Sequence, residues 1–184
     1  MKRICVFCGS RAGSSPEFAQ AAADTGRAIA AAGAGLVFGG GSVGLMRIVA
    51  DAALDAGGEV IGVIPGFLIE KEHVHPRLQD LRVVGTMHER KALMASLAGA
   101  FIALPGGFGT IEEIFEMLTW SQLGLHAKPC GFLNVAGYYT HLIAFLDQAV
   151  AAEFLAGENW RATTVETDAV QMVQHMLAAI GPGA

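Results

Sequence analysis

Ala100-Phe101-Ile102-Ala103-Leu104-Pro105-Gly106-Gly107-Phe108-Gly109-Thr110-Ile111-Glu112-Glu113 changes character twice. A short, uncharged apolar run meets proline and glycine, and the chain then resumes with residues that suit the first turns of a helix. An apolar run of that length bounded by turn residues reads as a strand buried on both faces, and the glycine-rich turn leading straight into a helix is the βα half of a parallel crossover unit. Gly35-Leu36-Val37-Phe38-Gly39-Gly40-Gly41-Ser42-Val43-Gly44 has the same grammar.

Working outward, the pattern repeats. Strands are predicted at 3–8, 35–38, 59–64, 82–84, 100–104 and 130–134, with a weaker one at 162–165, and helices at 16–32, 42–56, 87–98, 110–124, 139–152 and 168–180. Ser15-Pro16 supplies a cap and a first-turn proline, and Gly33 and Gly57 supply stops. Alternating strands and helices predict an α/β fold, a Rossmann-like open parallel sheet with helices on both faces. No internal repeat or linker divides the chain, so 1–184 is expected to be a single nucleotide-binding domain. Gly181-Pro182-Gly183-Ala184 reads as a frayed tail. The segment from Pro65 to Arg82 is the least regular and is a candidate lid or pocket edge.

Composition narrows the function classes. The chain is 53% hydrophobic and 16% charged, with 24 glycines, against ~25% charged residues in an average domain. Windows 28–46 and 92–111 carry no charge and are long enough to span a bilayer, but the glycines and Pro105 inside them would leave backbone groups unpaired in lipid. No membrane association is expected. The net charge is −5 and the 12 basic residues form no stripe, which argues against nucleic acid as a partner. Three cysteines, mild acidity and an N-terminal apolar stretch too short for secretion predict a cytoplasmic protein.

Ligands of open parallel sheets sit beyond the carboxyl ends of the strands. Gly39, Gly40, Gly41 and Ser42 fall at one such position, and Gly106, Gly107 and Gly109 at another. Glycine lets the backbone approach an anion, and helix N-termini favour one. Neither loop has the Walker lysine or the full dinucleotide spacing, so a phosphorylated ligand smaller than a dinucleotide is expected. Two readings of Thr110-Ile111-Glu112-Glu113 stay open. Thr110 and Glu113 form a capping box, or Glu113 reaches a sugar attached to the bound phosphate. Thr86-Met87-His88-Glu89 is a second capping box, followed by the cations Arg90 and Lys91.

The string from Pro105 to Glu113 resembles the P-G-G-x-G-T-x-x-E signature of the LOG family, the cytokinin riboside 5′-monophosphate phosphoribohydrolases, many of them labelled lysine decarboxylases. Cys8-Gly9-Ser10, Gly39 to Met46, Gly62-Val63-Ile64-Pro65, Met87-His88-Glu89-Arg90-Lys91 and Thr119-Trp120-Ser121-Gln122-Leu123-Gly124 resemble further family motifs in the family's order. The resemblance implies hydrolysis of the N-glycosidic bond of a nucleoside 5′-monophosphate, AMP and its isoprenoid-modified forms included, to free base and ribose 5-phosphate. It implies a homodimer, Arg90 and Glu113 as the catalytic pair, and a nucleotide site lined by Lys91, Gly107, Phe108, Gly109, Thr110, Ile111, Glu112 and Thr119. Glu72 aligns less securely with a substrate-binding glutamate. No cofactor and no metal are implied. Arg47 and Phe108 depart from the family's usual glycine and tyrosine. The alternative is a carrier on the same scaffold that holds a phosphorylated ligand such as a pterin cofactor without hydrolysing it.

Other signals carry less. Cys5 and Cys8, on opposite faces of a strand, read as core, and His73 and His75, with no third ligand in view, as a surface loop. Of four lysines only Lys91 lies in a motif, which leaves a Schiff-base decarboxylase little support.

Overall fold

The structure, a computed structural model, describes residues 1–181, so most of the expected C-terminal tail lies outside the described residues. Seven strands, β1 (Arg3–Phe7), β2 (Gly35–Phe38), β3 (Val60–Pro65), β4 (Asp80–Val84), β5 (Ala100–Ala103), β6 (Cys130–Leu133) and β7 (Thr164–Glu166), form one sheet in the order β4-β3-β2-β1-β5-β6-β7. Every pairing is parallel. The helices are α1 (Pro16–Ala31), α2 (Gly44–Asp55), α3 (Ile69–Glu72), α4 (Met87–Leu97), α5 (Phe108–Gln122), α6 (Thr140–Ala151), α7 (Gly157–Arg161) and α8 (Ala169–Ala179). The α/β class, the single sheet and all seven predicted strands are thus observed.

Alternate strand residues feed two cores. Ile4, Val6, Leu36 and Phe38 pack with α1, α2 and α8 on one face; Cys5, Phe7, Val37 and Phe101 pack with α4, α5 and α6 on the other. Because both faces are dry, β1, β2, β3, β5 and β6 read as unbroken apolar runs. Edge strands β4 and β7 are only partly covered and carry Asp80, Arg82 and Glu166. Cys5 and Cys8 do fall in opposite cores, both buried and free. Among the described residues no helix is long and apolar enough to cross a membrane.

Several local signals hold. Ser15 accepts from Glu17 N at 3.3 Å ahead of Pro16, and Gly33 and Gly57 take φ values of +68° and +76° just past their helices. The helix starts at the glycine loops differ. α2 begins at Gly44, two residues late, and α5 at Phe108, two residues early. Its N-cap is Gly107, with no side-chain cap. Thr110 and Glu113 therefore lie inside α5 and form no capping box. The real box is at α4, where Thr86 Oγ1 accepts from Glu89 N at 3.1 Å while the Glu89 carboxylate accepts from Gly85 N at 2.7 Å. The irregular stretch from Pro65 holds a 3-10 turn (Gly66–Leu68) and α3, and α7 was without a sequence signal.

The strand order reverses between β1 and β5, and the loops that leave their carboxyl ends diverge to opposite faces there. Close packing of α1 on α2 fixes the neighbouring face. Gly26, buried in mid-helix, would place a Cβ against Val49 O, with Ala53 N at 3.0 Å and Ala52 Cβ at 3.2 Å. Alanine for glycine in an exposed helix interior stabilises by ~1 kcal/mol. Here the sign reverses: Gly26→Ala is expected to lower the urea-unfolding free energy by ~1–3 kcal/mol through overpacking, and an unchanged or raised midpoint would refute the contact.

Candidate active site

Arg90 is the first turn of α4 turned inward. Only 4% exposed, it donates from Nε to Val63 O at 3.1 Å and from Nη2 to Gly39 O at 2.9 Å. Two main-chain carbonyls, one in β3 and one just past β2, thus seat the guanidinium. Nη1 meets the Met87 sulfur at 3.9 Å, and Glu72 Oε2 stands 3.5 Å from Nη2. That Oε2 is buried with no hydrogen-bond partner among the described residues.

Glu113, half-buried on α5, shares with Arg90 a cavity of about 190 Å³ that also takes in Glu72, Ser10, Thr110 and Glu112. Loss of water raises its carboxyl from 4.5 to about 7; Arg90 pulls against the shift, while Glu112 and Glu72 add to it. A half-buried carboxyl poised near neutrality beside a fixed cation suits acid–base or charge-stabilising chemistry. Gly107 and Gly109 line the same cavity, and at both a side chain would point into open space. The uncapped N-terminus of α5 leaves its first amides facing this region, a fit for an anion.

A larger hollow of about 590 Å³ adjoins it across Gly9, Ser10 and Gly107, walled by Phe18, Leu45, Phe108 and Tyr138. Phe108 is 99% exposed at its mouth. Tyr138, which the sequence reading passed over, donates to Gly106 O at 2.6 Å, and Tyr139 to Leu104 O at 2.6 Å. The paired tyrosines just past β6 were the available signal.

Other predicted residues sit elsewhere. Gly39, Gly40, Gly41 and Ser42 do not line the cavity; they are packed behind it. A Cβ at Gly39 would strike Arg90 Nη2, one at Gly41 would sit 3.2 Å from Glu72 Cβ, and Gly40 adopts φ +76°. Lys91 is buried, and its ammonium is held by Glu112 and, at 3.1 Å, by Glu116. Burial opposes that charge, but the two carboxylates outweigh it and hold the group above its ordinary value. Gly106 sits in the larger hollow against Thr110, and Ile111 packs into the core. Thr119 donates to Phe115 O at 2.7 Å and faces an apolar crevice with Trp160. Cys8, Met46, Leu68 and Met87 complete the cavity shared by Arg90 and Glu113 and carried no chemical signal of their own.

With Glu113 raised to about 7, the folded protein binds this proton more tightly than the unfolded chain, so its contribution to stability falls as pH rises from about 4.5 to about 7. Glu113→Gln is expected to be more stable than the parent by ~1–3 kcal/mol at pH 8, with the gap closing by pH 5. Parallel stability–pH curves would contradict the burial of this charge.

Residues 46–176 match the family model described as "Possible lysine decarboxylase". A probable cytokinin riboside 5′-monophosphate phosphoribohydrolase of Oryza sativa subsp. japonica is 48% identical over 95% of this chain and 77% of its own length. A cytokinin riboside 5′-monophosphate phosphoribohydrolase of Arabidopsis thaliana is 49% identical over 84% of this chain and 72% of its own. Among solved structures, the molybdenum cofactor carrier protein of Chlamydomonas reinhardtii superposes with a TM-score of 0.73 at 25% identity, covering 96% of this chain and 98% of that one. Sequence identity near one half over most of the chain, on a shared parallel-sheet scaffold, makes the chain a member of the LOG family of cytokinin riboside 5′-monophosphate phosphoribohydrolases.

Proposed function

We propose that this protein hydrolyses the N-glycosidic bond of nucleoside 5′-monophosphates, AMP and isoprenoid-modified AMP among them, to free base and ribose 5-phosphate. The observation that carries the reading is the convergence of Arg90 and a Glu113 carboxyl raised to about 7 on one cavity beside the uncapped start of α5. The 5′-phosphate is taken by the α5 amides around Gly107, Phe108, Gly109 and Thr110, so that a group far from the reaction orients the bond to be broken. Departure of the base leaves positive charge at the anomeric carbon. The Glu113 carboxylate stabilises that charge and orients water, whose oxygen forms the new bond to carbon while one of its protons ends on the departing base. Arg90 steadies the anionic side of the substrate and keeps Glu113 ionisable; Glu72, on the wall of the same cavity, receives a ribose hydroxyl.

Gly39, Gly40, Gly41 and Ser42 serve by holding Arg90 and Glu72, and Lys91 by fixing Glu112 at the cavity wall through its ion pair. A lysine locked between two carboxylates and raised in pKa is the opposite of the depressed, nucleophilic amine of a Schiff-base enzyme, which speaks against decarboxylation. The reading includes a cytoplasmic homodimer. Leu123 (66% exposed), Leu125 (67%) and Phe154 (90%) leave apolar surface for a partner, and a partner subunit gives Thr119, which faces away from its own chain's cavity, a route to a nucleotide.

Purified protein is expected to release adenine from AMP. Glu113→Gln and Arg90→Ala are each expected to lose ~10²-fold or more in kcat/KM with folding intact. In the parent, kcat/KM is expected to rise with pH through about 7, as Glu113 becomes a carboxylate, and this limb is expected to vanish in Glu113→Gln. Base release by both variants at the parent rate would sink the assignment; tight AMP binding without release in the parent would favour the carrier.

A further inference from the structure

The segment that carries Glu72 is held over the cavity from one side. Ser42 N donates to Glu72 O at 3.0 Å and His73 O at 2.6 Å, Gly41 and Val74 form an antiparallel bridge, and His75 N donates to Gly40 O at 3.0 Å. His73, between these contacts, sits at φ +48°, a conformation that costs a non-glycine residue energy and persists only where neighbours impose it. His75 anchors the far end. Far from lying on a surface loop as its sequence context suggests, it is 2% exposed, with its ring edge-on to Phe38 at 6.4 Å. Its Nε2 lies 3.2 Å from Asp51 Oδ1 on α2, and its Nδ1 accepts from Arg77 N at 3.4 Å. Asp51 also meets Arg47 at 3.3 Å and Arg77 at 3.1 Å.

We propose that the His75–Asp51 pair is a positioning device for substrate binding, which pins the 72–75 ribbon to the glycine run 40–42 and so keeps the Glu72 carboxylate on the cavity wall beside Arg90. Neither His75 nor Asp51 lines the cavity; both act through Glu72. The pin rests on the proposed nucleotide reading for its consequence. Its geometry is that of an imidazole oriented by a carboxylate and buried where a rotated ring would lose both nitrogen partners. The strained backbone at His73 makes the pin necessary, since a released ribbon would relax toward ordinary dihedral angles and carry Glu72 away.

The test is a double-mutant cycle on AMP, read as KM, kcat and, by calorimetry, AMP affinity. His75→Leu fills the site without polar partners, and Asp51→Asn, on a half-exposed residue, leaves the fold in place. Each is expected to weaken AMP binding and raise KM by ~5-fold or more, with kcat changed less, and in a Glu72→Gln background each is expected to change neither further. A lowered melting temperature with unaltered KM and AMP affinity, or effects that simply multiply with Glu72→Gln, would overturn the proposal. A parent protein that binds AMP without releasing adenine would sink the hydrolase reading alone, with the coupling still read from affinity.

Discussion

The guanidinium of Arg90, tied by two hydrogen bonds to the carbonyls of Val63 and Gly39, is the contact on which the rest of the site depends. A buried cation must be hydrogen-bonded to be tolerated, and here the backbone itself does the bonding, from within β3 and just past β2. Because these acceptors are neutral, they fix the guanidinium at the cavity wall without cancelling its charge. Its nearest carboxylate, Glu72, stands 3.5 Å off, beyond an ordinary hydrogen bond to its unpartnered oxygen. The charge is what prevents desolvation from pushing Glu113 still higher than about 7.

That single contact also explains the glycines. Gly39 is glycine because any Cβ would occupy the place of the Arg90 guanidinium, and Gly41 because Glu72 comes close above it. The second cluster does the reverse. Gly107 and Gly109 have nothing before them and leave the start of α5 open to a ligand. Two runs that look alike therefore differ in what they make room for, one for protein and one for open space at the start of α5. Both lie around the point where the strand order reverses, the one place in an open parallel sheet where neighbouring loops part and a crevice forms without deforming the strands.

Most of the fold was legible because the physics is local. Short apolar runs, Gly33 and Gly57 as stops and Ser15-Pro16 as a start carry their meaning within a few residues. Thr110-Glu113 misled for the same reason: the pattern of a capping box is local, but Gly107 can start a helix with no side-chain cap, and the buried placement of Thr110 beneath Gly106 is a tertiary fact. In the site, the residue types at Arg90 and Glu113 were readable and the family motifs joined them, while Glu72, in a variable segment, aligned less securely. What the sequence could not reveal is partnership across distance. Lys91 looks like a second free cation until Glu112 and Glu116 are brought to it, and His75 looks like loop surface until Asp51 and Phe38 enclose it.

The most direct test of this account is the carboxyl titration of Glu113 itself, followed by carbon NMR on glutamate-labelled protein, in the parent and in Arg90→Met. A midpoint near 7 is expected in the parent, with a clear upward shift when the guanidinium is removed. A midpoint near the ordinary 4.5, or one indifferent to the loss of Arg90, would contradict it.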